Sequence, residues 1–141
     1  MQNTDLARDY IHRAGVRVRA LEVLFEAESW ADVVRESQEI VELALKALLR
    51  VSGIHPPRIH DVSDILVAEK ERLPMGLGEK LGTLTEISRD LRRDRELSFY
   101  GAEDLTPSGF YSREDAEKAQ QGARLTVEIV EPFVRPDRRP S

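Results

Sequence analysis

A chain of 141 residues with 40% hydrophobic and 33% charged side chains is long enough for one compact core and too evenly balanced for a disordered segment. It has no cysteine, which excludes disulfides and thiolate metal sites, and no apolar run long enough to cross a bilayer. The net charge of −5 weighs against broad nucleic-acid binding, which needs a basic face, while leaving room for a local basic site on an acidic body.

Residues 1–10 lack a hydrophobic signal core, so the expectation is a cytoplasmic protein with no membrane partner. From Ala7, the apolar residues Ala7, Ile11, Ala14, Val18, Leu21 and Phe25 recur at spacings of three and four, the pattern of an amphipathic helix that Thr4 or Asp5 can cap. Ser29 then reads as the N-cap of a second helix, with Asp32 in its first turn and Trp30, Val33, Val34, Ile40, Val41, Ala44, Leu45 and Leu48 along it. This helix is expected to be the most buried. Ser52 and Gly53 stop it, Pro56 and Pro57 hold the connection extended, and Asp61 caps a shorter helix bearing Val62, Ile65 and Leu66.

Pro74 and the glycines near it separate that piece from a fourth helix, expected to begin at Leu77 or Glu79, to carry Leu81, Leu84, Ile87 and Leu91, and to end at Gly101. Residues 103–111 are rich in turn formers and predict a loop. Ser112 with Asp115 three residues on is a variant of the capping box, opening a last helix whose inner side is Ala116, Ala119, Ala123, Val127 and Val130. Its alanines allow close approach of a neighbour. Pro132 and Pro136 should end it. With no strand-like alternation, no glycine-rich phosphate loop and no repeat, the chain predicts an all-α, up-and-down bundle of four long helices plus one short one. Residues 1–134 are expected to form one domain and 135–141 a short basic tail.

The three histidines, His12, His55 and His60, have none of the spacings of a metal site. Arg50 and His55 flank Gly53 and are read as spanning a helix end. Asp61, beside His60, is read as a cap, and Glu39 and Glu42 as a solvated helix face. The chemistry-bearing stretch is 92–101, where Arg92, Arg93 and Arg95 precede Ser98, Tyr100 and Gly101. Guanidinium groups are donor-only forks suited to phosphate, which makes Arg89, Arg92, Arg93 and Arg95 the candidate nucleotide or RNA contacts. Arg93 and Tyr100 are seven residues apart and share a stripe with Arg89 if the helix persists. The same cations also suit an exposed helix end, where positive charge is favourable.

Three passages carry a family resemblance: the buried helix 37–49, Pro57 followed by His60, Asp61 and Val62, and the run 110–116 with Tyr111 before the capped alanine-rich helix. Together they resemble the HEPN family, the all-α domains of nucleotidyltransferase-linked and ribonuclease systems in prokaryotes. Family ribonucleases carry an arginine, four to six variable residues and a histidine, sometimes followed after one residue by a tyrosine. That pattern falls here on Arg93, Ser98 and Tyr100, with serine in the histidine position. The resemblance thus assigns Arg93 and Tyr100 to catalysis, implies no metal or cofactor, and implies a homodimer in which two motifs meet, paired with a minimal nucleotidyltransferase. It also makes Tyr100 a candidate acceptor of AMP from that partner.

Serine does not replace an imidazole in activating a 2′-hydroxyl, whereas Arg93 retains the ability to stabilise phosphorane charge. The expectation is therefore binding of nucleotide, RNA or partner at the dimer cleft, without cleavage. An active metal-independent endoribonuclease toxin and a generic helical interaction module are the alternatives.

Overall fold

The computed structural model describes residues 2–56, 58, 61–100 and 107–136, with residues 2, 94–100, 107 and 108 described by backbone alone. Among the described residues six α-helices follow in order: α1 (Gln2–Glu26), α2 (Trp30–Val51), α3 (Val62–Ala68), α4 (Lys80–Tyr100), α5 (Pro107–Phe110) and α6 (Arg113–Val134). Two 3₁₀ turns, Lys70–Arg72 and Met75–Leu77, link α3 to α4. Among the described residues there is no strand, and no helix is long and apolar enough to cross a membrane. The all-α bundle expected from periodicity is the fold observed.

Helix α2 organises the core. It touches every other α-helix, most extensively α1 and α6. Its buried positions Val33, Val34, Ile40, Val41, Ala44, Leu45, Leu48 and Leu49 cover a wide arc, as expected of a helix enclosed on several sides. Helix α1 returns antiparallel to it through a three-residue turn and supplies Ala7, Ile11, Ala14 and Leu21. Helix α6 closes the other side with Ala116, Ala119, Ala123 and Val130.

The helix ends differ from their sequence reading in instructive ways. Helix α1 begins at Gln2, so Thr4 and Asp5 lie within its first turns instead of capping it. Asp5 there complements the positive end of the helix dipole. Ser29 does occupy the N-cap of α2, but its hydroxyl donates to Asp32 Oδ2 at 2.6 Å and caps no backbone N–H. Helix α4 starts at Lys80, later than expected, because Leu77 is buried in a 3₁₀ turn and Gly78 takes φ +50°, where a glycine is favoured. Residues 107–110, expected as loop, form the short helix α5. Its last residue, Phe110, meets Tyr111 edge-on at 5.0 Å.

Pro132 does not end α6; it lies inside the helix, which continues to Val134. A proline in the last turn forfeits one hydrogen bond, and the burial of Ile129, Val130 and Val134 together with the packing of Phe133 offsets that loss. Gly76 rests against the same ring: a Cβ at that position would come within 3.1 Å of Phe133 Cε1. Gly101 and residues 137–141 of the expected tail lie outside the described residues.

The cap of α6 is the one read from the sequence. Ser112 N donates to Asp115 Oδ2 at 2.8 Å, and Asp115 N donates to Ser112 Oγ at 3.2 Å. The next residue, Arg113, stacks over Phe25 and Trp30 at 5.4 and 5.8 Å, tying the start of α6 to the α1–α2 turn. Ser112→Ala is expected to cost about 1 kcal/mol, seen as a lower urea midpoint with an unchanged slope.

Candidate cationic site on α4

Helix α4 directs Leu84 and Leu91 into the core and leaves Arg89, Arg92 and Arg93 exposed. The two outer arginines dock the short helix α3. Arg89 Nη2 lies 3.5 Å from Asp64 Oδ1, and Arg92 Nη1 lies 3.7 Å from Asp61 Oδ2. Asp61 has a second role, since its Oδ1 accepts from Ser63 N at 2.9 Å and so caps α3. Two aspartates three residues apart thus meet two arginines three residues apart, in reversed order, which fixes α3 antiparallel to α4.

Arg93 is held differently. Its Nη2 donates to Asp90 Oδ1 at 3.0 Å, one turn back on the same helix, while Lys118 Nζ from α6 stands 3.6 Å from Asp90 Oδ2. Asp90 is only 26% exposed and Arg93 is 65% exposed, so the carboxylate is anchored and the guanidinium faces solvent. Ion pairs between exposed side chains contribute about 0–1 kcal/mol each, so an incoming phosphate can exchange with these carboxylates at small cost. The described side chains of the patch comprise the cations Arg89, Arg92, Arg93 and Lys118 and the carboxylates of Asp61, Asp64 and Asp90.

Three of the four arginines singled out from the sequence therefore share one region of α4. The side chains of Arg95, Ser98 and Tyr100 lie outside the described residues. The backbone of α4 nevertheless runs unbroken to Tyr100, so positions 93 and 100 share one helix, and at 3.6 residues per turn they share one side of it. Sequence reasoning missed Asp61 and Asp64 as partners of the arginines, and Asp90 and Lys118 altogether. Asp90 was within reach of it, because residues three apart on a helix are neighbours.

Arg50 Nη1 stands 3.3 Å from His55 Nδ1 across the end of α2, His12 is exposed on α1, and His60 lies outside the described residues. Glu39 and Glu42 are half-buried on α2, and Glu42 Oε1 pairs with Lys46 Nζ at 3.0 Å. Among the described residues no group of three or more His, Asp or Glu side chains stands where it could hold a metal ion.

The HEPN domain family model matches residues 7–133 of the chain. The Methanocaldococcus jannaschii protein named "Putative toxin MJ1304" is 30% identical over 139 residues, covering 94% of this chain and 91% of its own. No solved structure matches. With the family model running from the second turn of α1 to the penultimate residue of α6, the chain belongs to the HEPN domain family.

Proposed function

We propose that the chain is the HEPN component of a toxin–antitoxin type pair with a minimal nucleotidyltransferase, and that its homodimer binds RNA at the α4 arginines without cutting it. The observation that carries this reading is Arg93, which occupies the motif arginine position, faces solvent, and is oriented by the anchored carboxylate of Asp90. The archaeal relative's name supports the toxin-type setting. Ser98 in the histidine position supports binding over cleavage, because the motif then supplies charge stabilisation and no group that titrates near neutrality.

The test is binding of a fluorescein-labelled single-stranded RNA, followed by anisotropy across a salt series. Arg93→Ala should lower affinity roughly tenfold at low salt and flatten the salt dependence, since each lost phosphate contact removes about 0.7 from the slope. The wild-type protein should leave the RNA intact. Equal affinity of wild type and variant, for RNA and for ATP alike, would remove this reading.

A second reading, an active endoribonuclease, follows from the motif positions that the sequence keeps at Arg93 and Tyr100. Cleavage by wild type that resists EDTA and is lost in Arg93→Ala would establish it.

A further inference from the structure

The junction of α2 with the connection to α3 holds a second cationic centre, which the α4 site does not use. Arg50, in the last turn of α2, donates from Nη1 to Asn3 Oδ1 at 3.3 Å and faces His55 Nδ1 at the same distance. Its Nε is buried with no hydrogen-bond partner. Among the described residues no carboxylate comes within ion-pair distance of it.

Helix capping does not account for this guanidinium. The last carbonyls of α2 are already occupied: Leu48 O accepts from Ser52 Oγ at 2.8 Å, Leu49 O from Ile54 N at 2.9 Å, and Arg50 O from Gly53 N at 3.0 Å. A buried donor left unpaired opposes folding, so the Arg50 guanidinium, whose described partners are the Asn3 amide oxygen and the His55 ring nitrogen, carries a cost at Nε that no carboxylate offsets. A second guanidinium reaches the same turn. Arg72 Nη2 donates to Gly53 O at 2.9 Å, and its Nη1 pairs with Glu69 Oε2 at 3.4 Å in solvent. Arg72, through Gly53 O, and the Arg50–His55 pair therefore flank one turn, residues 53–55, offering forked donors and a ring nitrogen, the chemistry that recognises a phosphate oxyanion.

The covalent chain bounds the distance from this centre to the α4 site. His55 and Asp61 are six positions apart in sequence, so they are at most about 20 Å apart in space, and Asp61 pairs directly with Arg92. We propose that Arg50, His55 and Arg72 form a phosphate site that takes a backbone phosphate of the same RNA strand bound at Arg93. This rests on the RNA-binding reading above and adds a second point of contact to it.

The experiment compares Arg72→Ala, Arg50→Ala and Arg93→Ala with wild type, using labelled single-stranded RNA over a salt series and ATP in parallel, with circular dichroism melting to confirm folding. Arg72→Ala, an exposed change, guards against loss of fold in Arg50→Ala. Each of the two should flatten the salt slope by about 0.7, which corresponds to roughly eightfold weaker RNA binding at 50 mM salt, and should leave ATP affinity unchanged. If both variants bind RNA with wild-type affinity and slope while Arg93→Ala does not, this site is refuted and the α4 reading stands. If they lose affinity and Arg93→Ala does not, the α4 reading fails and the phosphate site at the α2 end remains. A loss confined to ATP overturns the assignment to RNA, and a wild-type protein that binds no RNA overturns both.

Discussion

Leu45→Ala is expected to lower the free energy of unfolding by about 3 kcal/mol, the largest stability effect of any change considered for this chain. Leu45 is fully buried in α2, the helix that touches all the others, so the truncation leaves a cavity that no single neighbour can close by shifting. The deleted methyl groups forfeit their transfer free energy, and the residual void adds to the loss. The check is urea unfolding, with a lower midpoint and an unchanged slope as the signature of lost native packing. Val23→Ala is the matched control, because Val23 is 67% exposed on α1 and its truncation should stay within about 0.5 kcal/mol of wild type. A Leu45→Ala cost below that of Val23→Ala would mean that α2 is not the centre of the core.

That α2 should hold this place was legible in the sequence, since its apolar residues exceed a single stripe and thus predict burial on several sides. The inner faces of α1, α4 and α6 were legible from their single apolar stripes, and so were the caps at Asp61 and Ser112, where one side chain and one nearby backbone N–H decide the geometry. What escaped depends on tertiary context. Pro132 carries a local signal to stop, which the burial of Ile129, Val130 and Val134 overrides. Residues 107–110 carry turn chemistry yet make a short helix, whose Phe110 packs against the core. Thr4 and Asp5 offer a cap, but Asn3 is drawn into α1, where it meets Arg50 from the end of α2. Arg50 lies 47 residues from Asn3 along the chain, beyond the reach of any local signal.

The candidate site divides along the same line. The arginines stand out in composition, whereas their partners could be found only once α3 and α6 were placed. Asp61 and Asp64 look like a cap and a first-turn acid when α3 is read alone, and both do serve α3 in that way. Beside α4 they also pair with Arg92 and Arg89. The consequence for function is a division of labour among the cations. Among the described residues, Arg89 and Arg92 are engaged in docking α3, while Arg93 pairs with Asp90 of its own helix, a carboxylate it shares with Lys118. An anion that takes Arg93 therefore need not undock a helix. That is why Arg93 carries the functional proposal and its neighbours support it.

Restoring the histidine is expected to have the largest functional effect. In Ser98→His the motif becomes complete, with arginine, four residues, histidine, one residue and tyrosine along a helix whose backbone is continuous through Tyr100. The imidazole would accept the proton of a 2′-hydroxyl as its oxygen attacks the adjacent phosphorus. The 5′-oxygen then leaves as a hydroxyl, taking a proton from water, and a 2′,3′-cyclic phosphate remains, while Arg93 stabilises the charge that builds on the phosphorane. General acid–base assistance contributes about 100- to 10,000-fold, so the variant should cut labelled RNA at least roughly 100 times faster than wild type in the presence of EDTA. A base must be deprotonated to act, so the rate should fall as pH drops below about 6.5, the ordinary pKa of histidine. Adding Arg93→Ala should return cleavage to the wild-type background, which separates chemistry at the motif from a contaminating nuclease. Ser98→Ala should bind RNA as wild type does, because the proposal gives the serine hydroxyl no part in binding. If Ser98→His stays inert while wild type cuts RNA in an Arg93-dependent way, then the proton acceptor lies elsewhere in the chain and Ser98 does not mark the loss of cleavage.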